Sequence, residues 1–272
     1  MTRRIIQILL GFVILFTGCS SACSSTELTS HSVVAKTISE IAVIKSYQLD
    51  TDVSDSDGTE WKGLKVVSVP DKEMGMRMSI TFGSFNISDE MYFKGGEEYC
   101  KTISEGNVPP TIGWTKNELD ETVWNQQSQM PLVVELLKNA TQFTVLENEQ
   151  LDGINCYVVT VIPSAQASVD WVLSQGQPGG PAMTTWSGDT LVRSDAYKDG
   201  TVKFWINKDS YFPLKAEISI AFQGELNTGT VVTTPYTAIG NLLNFSFKGQ
   251  LNFSNYNQPV SIQIHPEALN TK

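Results

Sequence analysis

Along most of this chain, apolar and polar residues alternate one for one. Residues 73–82, EMGMRMSITF, put Met74, Met76, Met78, Ile80 and Phe82 on one phase and Arg77, Ser79 and Thr81 on the other. A period of two marks a β-strand with one apolar and one hydrated face. The same alternation returns in GTVKFWINK (Val202, Phe204, Ile206), FPLKAEISIAF (Leu214, Ala216, Ile218, Ile220), NFSFKGQLNFS (Phe245, Phe247, Leu251, Phe253) and PVSIQIHP (Val260, Ile262, Ile264). Further strand-like runs, KSYQLDTDV with EWKGLKVVSV, the two halves of MYFKGGEEYCK, and QFTVLENEQ with NCYVVTVIP, flank Asp57-Gly58, Gly95-Gly96 and Asp152-Gly153. Those dipeptides favour tight hairpin turns.

Helical spacing is confined to three places. Val34, Ile38, Ile41 and Ile44 form a stripe in VVAKTISEIAVIKSY, and Leu132, Val133, Leu136 and Leu137 form one in TKNELDETVWNQQSQMPLVVELLKNA. AQASVDWVLSQ reads as a short helix, and the Gly/Pro-rich stretch at 175–190 reads as a long loop of the kind that often carries function. The pattern predicts an α+β domain: an antiparallel sheet with one wet side, its other side covered by helices.

The methionines qualify this picture. A strand core ordinarily uses stiff Val and Ile, whereas Met74, Met76 and Met78 give an apolar surface that is flexible and polarizable. Such a surface either fills irregular core gaps or lines part of a cavity that accepts apolar ligands.

At 272 residues and 41% hydrophobic content the chain can bury a core and is not disordered. The net charge of −10 argues against a nucleic-acid partner, which needs a basic face. The N-terminus, MTRRIIQILLGFVILFTGCSS, has a basic pair, a short apolar run from Ile5 to Phe16, and small residues before a cysteine. That is the layout of a signal peptide. The Gly18-Cys19 junction resembles the bacterial lipobox, in which the cysteine is lipidated and becomes the first mature residue. Phe16 stands where Leu is usual, and Cys23 is a weaker second candidate. The expected layout is a lipoprotein signal peptide at 1–18, a flexible tether at 19–32 after lipidated Cys19, and one domain at 33–272. The protein is then exported and lipid-anchored to the cell membrane or outer membrane, with its domain on the extracytoplasmic side. Export permits disulfides, so Cys100 and Cys156 either pair or remain two free buried thiols.

Two segments carry a family resemblance: MYFKGGEEYCK with the following Trp114-Thr115-Lys116, and KFWINKDSYFPLKAEISI with LNFSFKGQLNFSNYNQPVSIQIHP. An aromatic strand, a turn and then PLK resembles the LolA/LolB-like lipoprotein-carrier superfamily of the bacterial envelope. The closing SNYNQPVSIQIHPEA is similar to its lipid-anchored LppX/LprG type. The resemblance implies a strongly curved sheet, an open half-barrel, with helices over the concave face and acyl chains held between. It implies a lipid or other long apolar ligand, with Met76, Met78, Ile80, Phe82, Phe204, Ile206, Ile218, Ile220, Phe245 and Phe247 as candidate cavity residues.

No chemistry competes with this reading. G-x-S-x-G, H-E-x-x-H and P-loop motifs are absent. The two histidines, His31 and His265, give little for acid–base catalysis or metal binding, so no enzyme activity, cofactor or metal is expected. Asp55-Ser56-Asp57-Gly58 shares part of an EF-hand pattern, but Val53 occupies the first ligand position, and a solvated turn is the better reading. The Asn-x-Ser/Thr triplets at Asn86, Asn139, Asn244 and Asn252 are read as chance in a lipobox protein. The remaining alternative is a surface lipoprotein with a filled core that binds an envelope protein through its wet face or loops.

Overall fold

The computed structural model describes residues 29–56, 58–105, 112–128, 130–174, 194–225, 238–239 and 242–271. The expected signal peptide, Cys19, Cys23, most of the expected tether, Asp57 and the expected loop at 175–190 lie outside the described residues.

One antiparallel sheet of twelve strands dominates. Six strands form a meander: β1 (Ser46–Asp55), β2 (Glu60–Ser68), β3 (Glu73–Phe82), β4 (Phe85–Lys94), β5 (Glu97–Glu105) and β6 (Ile112–Glu118). The other half holds β7 (Gln142–Leu151), β8 (Ile154–Ile162), β9 (Tyr197–Asn207) and β10 (Pro213–Glu225). β12 (Leu242–Ser254) joins the halves by lying between β1 and β10, and the two-residue β11 (Ala238–Ile239) pairs with it. β6 and β7 are the edges and do not pair with each other, so the sheet is an open, curved half-barrel. Two hairpins show why their sequences turn there. Gly95 and Gly96, and Asp152 and Gly153, all have positive φ, as a turn matching strand twist requires at both central positions.

The helices are α1 (Ser30–Ile41), α2 (Glu121–Gln127), α3 (Met130–Lys138) and α4 (Ala165–Ser174). Thr29 caps α1 by accepting from the Ser32 N–H, and Asp120 caps α2 by accepting from the Thr122 N–H. α3 buries Met130, Val133, Leu136 and Leu137. It packs against α1, α2 and α4, while α1 reaches β7 and α4 reaches β9. This helical layer covers the apolar, concave face.

Two predicted elements differ from the structure. The stretch from Thr115 is not helical throughout: residues 112–118 form the edge strand β6, and the helix begins only after Asp120. An edge strand exposed to water need not alternate, so TKNE carried no strand signal. The second difference is PVSIQIHP, which is an extended strap across the outer face and not a strand. β12 is already paired on both sides, so the chain that follows it has no free strand edge beside it. The alternation is used differently. Ile262 is buried among Tyr92, Tyr99 and Ala268, with Val66, Trp114, Val260 and Ile264 around it. Lys94 Nζ donates to the Ile262 carbonyl at 2.8 Å, and Lys101 lies 3.7 Å from Glu267. The outer face is therefore only partly wet.

Candidate ligand site

The inward phases of the strands converge on one face. Met76 on β3 lies between Lys65 on β2 and Met91 on β4, and Ile80 lies between Trp61 and Ile87. Across the sheet, Phe204 lies between Val159 and Ala216, Ile218 between Val202 and Gly249, and Ile220 faces Phe247. Met76, Ile80, Phe204, Ile206, Ile218, Ile220, Phe245 and Phe247 are all buried in one apolar cluster, and half-buried Met78 packs against it. The rings of Trp61 and Phe247, 5.6 Å apart, link the methionine strand's side of the cluster to β12. Phe82 stands apart from this cluster: at the end of β3 it stacks on Phe85 across the turn, 6.4 Å between rings.

Cys100 and Cys156 are free thiols. Cys100 sits on β5 beside Met91, on the helix-covered face, and Cys156 sits on β8 beneath Trp205 on the outer face. These strands lie near opposite ends of the sheet, so of the two readings left open by the sequence, free thiols is the one observed. His265 stacks on Trp114 at 5.8 Å within the strap, and its Nδ1 accepts from the Glu267 N–H at 3.3 Å. The acidic turn is held by Asp55, whose carboxylate accepts from the Thr59 N–H at 2.9 Å. Among the described residues no group of three His, Cys, Asp or Glu is placed to hold a metal ion. No helix among them is long and apolar enough to cross a membrane.

Charged residues on the apolar face are what the sequence reading missed. Lys65, 5% exposed, donates from Nζ to the Gln127 carbonyl at 3.1 Å and to its Oε1 at 3.3 Å. Burial pushes that lysine down to about 7. Close by, the Tyr47 hydroxyl donates to the Ser128 carbonyl, so β1 and β2 together hold the end of α2. Asp89 on β4 is 2% exposed, and neither carboxylate oxygen closes a hydrogen bond. Burial pushes it up to about 6, against a smaller opposing pull from the Thr102 hydroxyl. Glu98 is also pushed up by burial, and burial with the charges of Asp89 and Glu98 raises the Cys100 thiol to about 12. The signal was available. Lys65 shares a phase with Trp61 and Val67, and Asp89 shares one with Ile87, Met91 and Phe93. A charge on the apolar phase of an alternating run is the mark of a buried charge.

A second feature lies on the outer face. An open trough of about 680 Å³ crosses six strands, between Asp50 and Asp52 on β1, Lys62 and Leu64 on β2, and Arg77 and Glu90 on β3 and β4. The strap borders a smaller depression beside it, about 220 Å³, near Tyr92 and Ile262.

Three solved structures align with most of this chain at low identity. LppX of Mycobacterium tuberculosis aligns over 86% of this chain and 100% of its own, at 13% identity and a TM-score of 0.45. LprF of Mycobacterium bovis aligns over 86% and 96%, at 9% identity and a TM-score of 0.49. MucB, solved in complex with MucA, aligns over 88% of this chain and 61% of its own, at 11% identity and a TM-score of 0.32. These likenesses are slight, and no ligand or partner carries over from them. No family model matches the sequence, and no curated protein matches it.

Proposed function

We propose that this chain is a lipid-anchored envelope protein that holds a lipid or another long apolar molecule between its sheet and its helices. The observation that carries the reading is the methionine patch. Met74, Met76 and Met78 on β3 stand beside Met91 on β4, on the face the helices cover. Met74, Met76 and Met91 have almost no free surface. A chain therefore enters by displacing flexible side chains, which unbranched thioethers permit and β-branched residues resist. Each methylene taken from water contributes about 0.8 kcal/mol. No covalent chemistry is involved.

The test is uptake of a fluorescent long-chain acyl probe. Wild type is expected to bind it, and Met78→Trp to bind it more weakly while keeping its stability, because Met78, unlike its packed neighbours, is only half-buried and pairs with the side-chain-free Gly63, leaving room that the indole would take from the ligand chain. In a fully packed site the same substitution overpacks and costs about 1–3 kcal/mol. A wild type that binds no probe, with a strongly destabilised Met78→Trp, contradicts the proposal. That outcome favours the second reading, a partner-binding module, for which the outer trough is the supporting observation.

Anchoring belongs to the same proposal and rests on Arg3, Arg4, the apolar run and Gly18-Cys19. Cys19→Ala is expected to take up no labelled fatty acid, whereas Cys23→Ala labels normally. Undiminished labelling of Cys19→Ala would remove the anchor.

A further inference from the structure

Register sets up a row across the helix-covered face that differs from its neighbours. Thr51 on β1 faces Gly63 on β2, Gly63 faces Met78 on β3, Met78 faces Asp89 on β4, and Asp89 faces Thr102 on β5. The rows on either side are bulky: Leu49, Lys65, Met76 and Met91 on one, Val53, Trp61, Ile80 and Ile87 on the other. Gly63 contributes no side chain, and a Cβ there would meet the Arg77 carbonyl at 3.4 Å and the Met78 side chain at 3.7 Å, both ordinary contacts. The row is therefore thin and carries its polar groups at Thr51, Asp89 and Thr102. Asp89 is its deepest member, and neither oxygen closes a hydrogen bond of good geometry, the Thr102 hydroxyl standing near enough only for a weak one. In the flanking row, Trp61 Nε1 is also buried without a hydrogen-bond partner. Buried polar atoms are almost always paired, so one that is not asks for a reason.

We propose that Asp89, in the thin row between Met78 and Thr102, is the subsite for the polar head of an amphipathic ligand whose head donates hydrogen bonds. This rests on the reading of the interior as a ligand site and specifies which ligands enter it. An ionised carboxylate only accepts, so hydroxyl-bearing and ammonium heads suit it, and carboxylate and phosphate heads do not. Glu98 on β5, opposite Phe93, is a second buried acid on the same face. Lys65 does not offset the two acids, because its Nζ is engaged with Gln127. The alkyl part of the ligand lies along Met76 and Met91 in the adjoining row.

The experiment displaces a fluorescent acyl probe from the purified chain at pH 7.5 with three ligands of one chain length: monopalmitoylglycerol, hexadecylamine and palmitate. The glycerol ester or the amine is expected to compete at about tenfold lower concentration than palmitate, the worth of one hydrogen bond to a charged group. The stronger of the two identifies the head as hydroxyl or ammonium. Asp89→Asn, which keeps the shape and removes the charge, is expected to bring all three within about threefold while the acyl probe still binds. If the probe binds but palmitate competes as well as the others in wild type, the subsite is overturned and the proposed function stands. The subsite is equally overturned if Asp89→Asn keeps the preference. If no acyl probe binds, both fall together.

Discussion

Ile218→Asp is expected to unfold the domain or bring it close to unfolding at neutral pH. Ile218 is 3% exposed at the centre of the sheet, between Val202 and Gly249, with its side chain inside the apolar cluster. A carboxylate there loses its hydration and finds no cation, a cost of about 4 kcal/mol or more. Domains of this kind have a total stability of about 5–15 kcal/mol. The neighbouring position is the control. Glu217 faces outward and lies 2.7 Å from Lys215 Nζ. An exposed pair of this kind contributes little, so Glu217→Ala should stay within about 0.5–1 kcal/mol. Urea denaturation of both variants checks the pair. A damaging Glu217→Ala with a tolerated Ile218→Asp would mean that the strand's faces are reversed.

Asp89→Asn is expected to stabilise the protein at pH 7.5, by about 2–3 kcal/mol. Burial holds the Asp89 carboxyl near 6, against 3.8 when unfolded. Its stability is thus fully present below about pH 4 and is lost as pH rises through 6. Asparagine does not titrate, so the gain over wild type should be largest above pH 7 and should close by about pH 4. Thermal melts of the two proteins at pH 4, 6 and 7.5 measure it. A gap independent of pH would mean that the carboxylate is not strained by burial. A residue retained at such a cost to stability fits a place where function opposes the fold.

The strands of the apolar core were legible because each reports its own orientation. The alternation in β3, β9, β10 and β12 assigned Met76, Phe204, Ile218 and Phe247 to the face where the structure buries them. The order of the strands was not legible. Nothing local in β12 says that it returns to lie between β1 and β10, because pairing is decided by the whole sheet. The strap shows the same limit: Val260, Ile262 and Ile264 announce an apolar side, and only the fold shows that Tyr92, Tyr99 and Trp114 receive it. At the candidate site, Phe82 has the right phase but lies at the end of its strand, where it stacks on Phe85 instead of joining the main cluster. Asp89 and Lys65 were visible as charges out of phase, yet their depth depends on the covering helices and on neighbouring strands far away in sequence.

The central claim is that the interior holds an apolar ligand, and native mass spectrometry of the wild-type protein purified from lipid-containing cells tests it most directly. The account predicts a species heavier than the bare chain, whose extra mass leaves on denaturation as an apolar molecule with an uncharged or cationic head. A bare chain alone, under conditions in which an added acyl ligand also fails to bind, would contradict it.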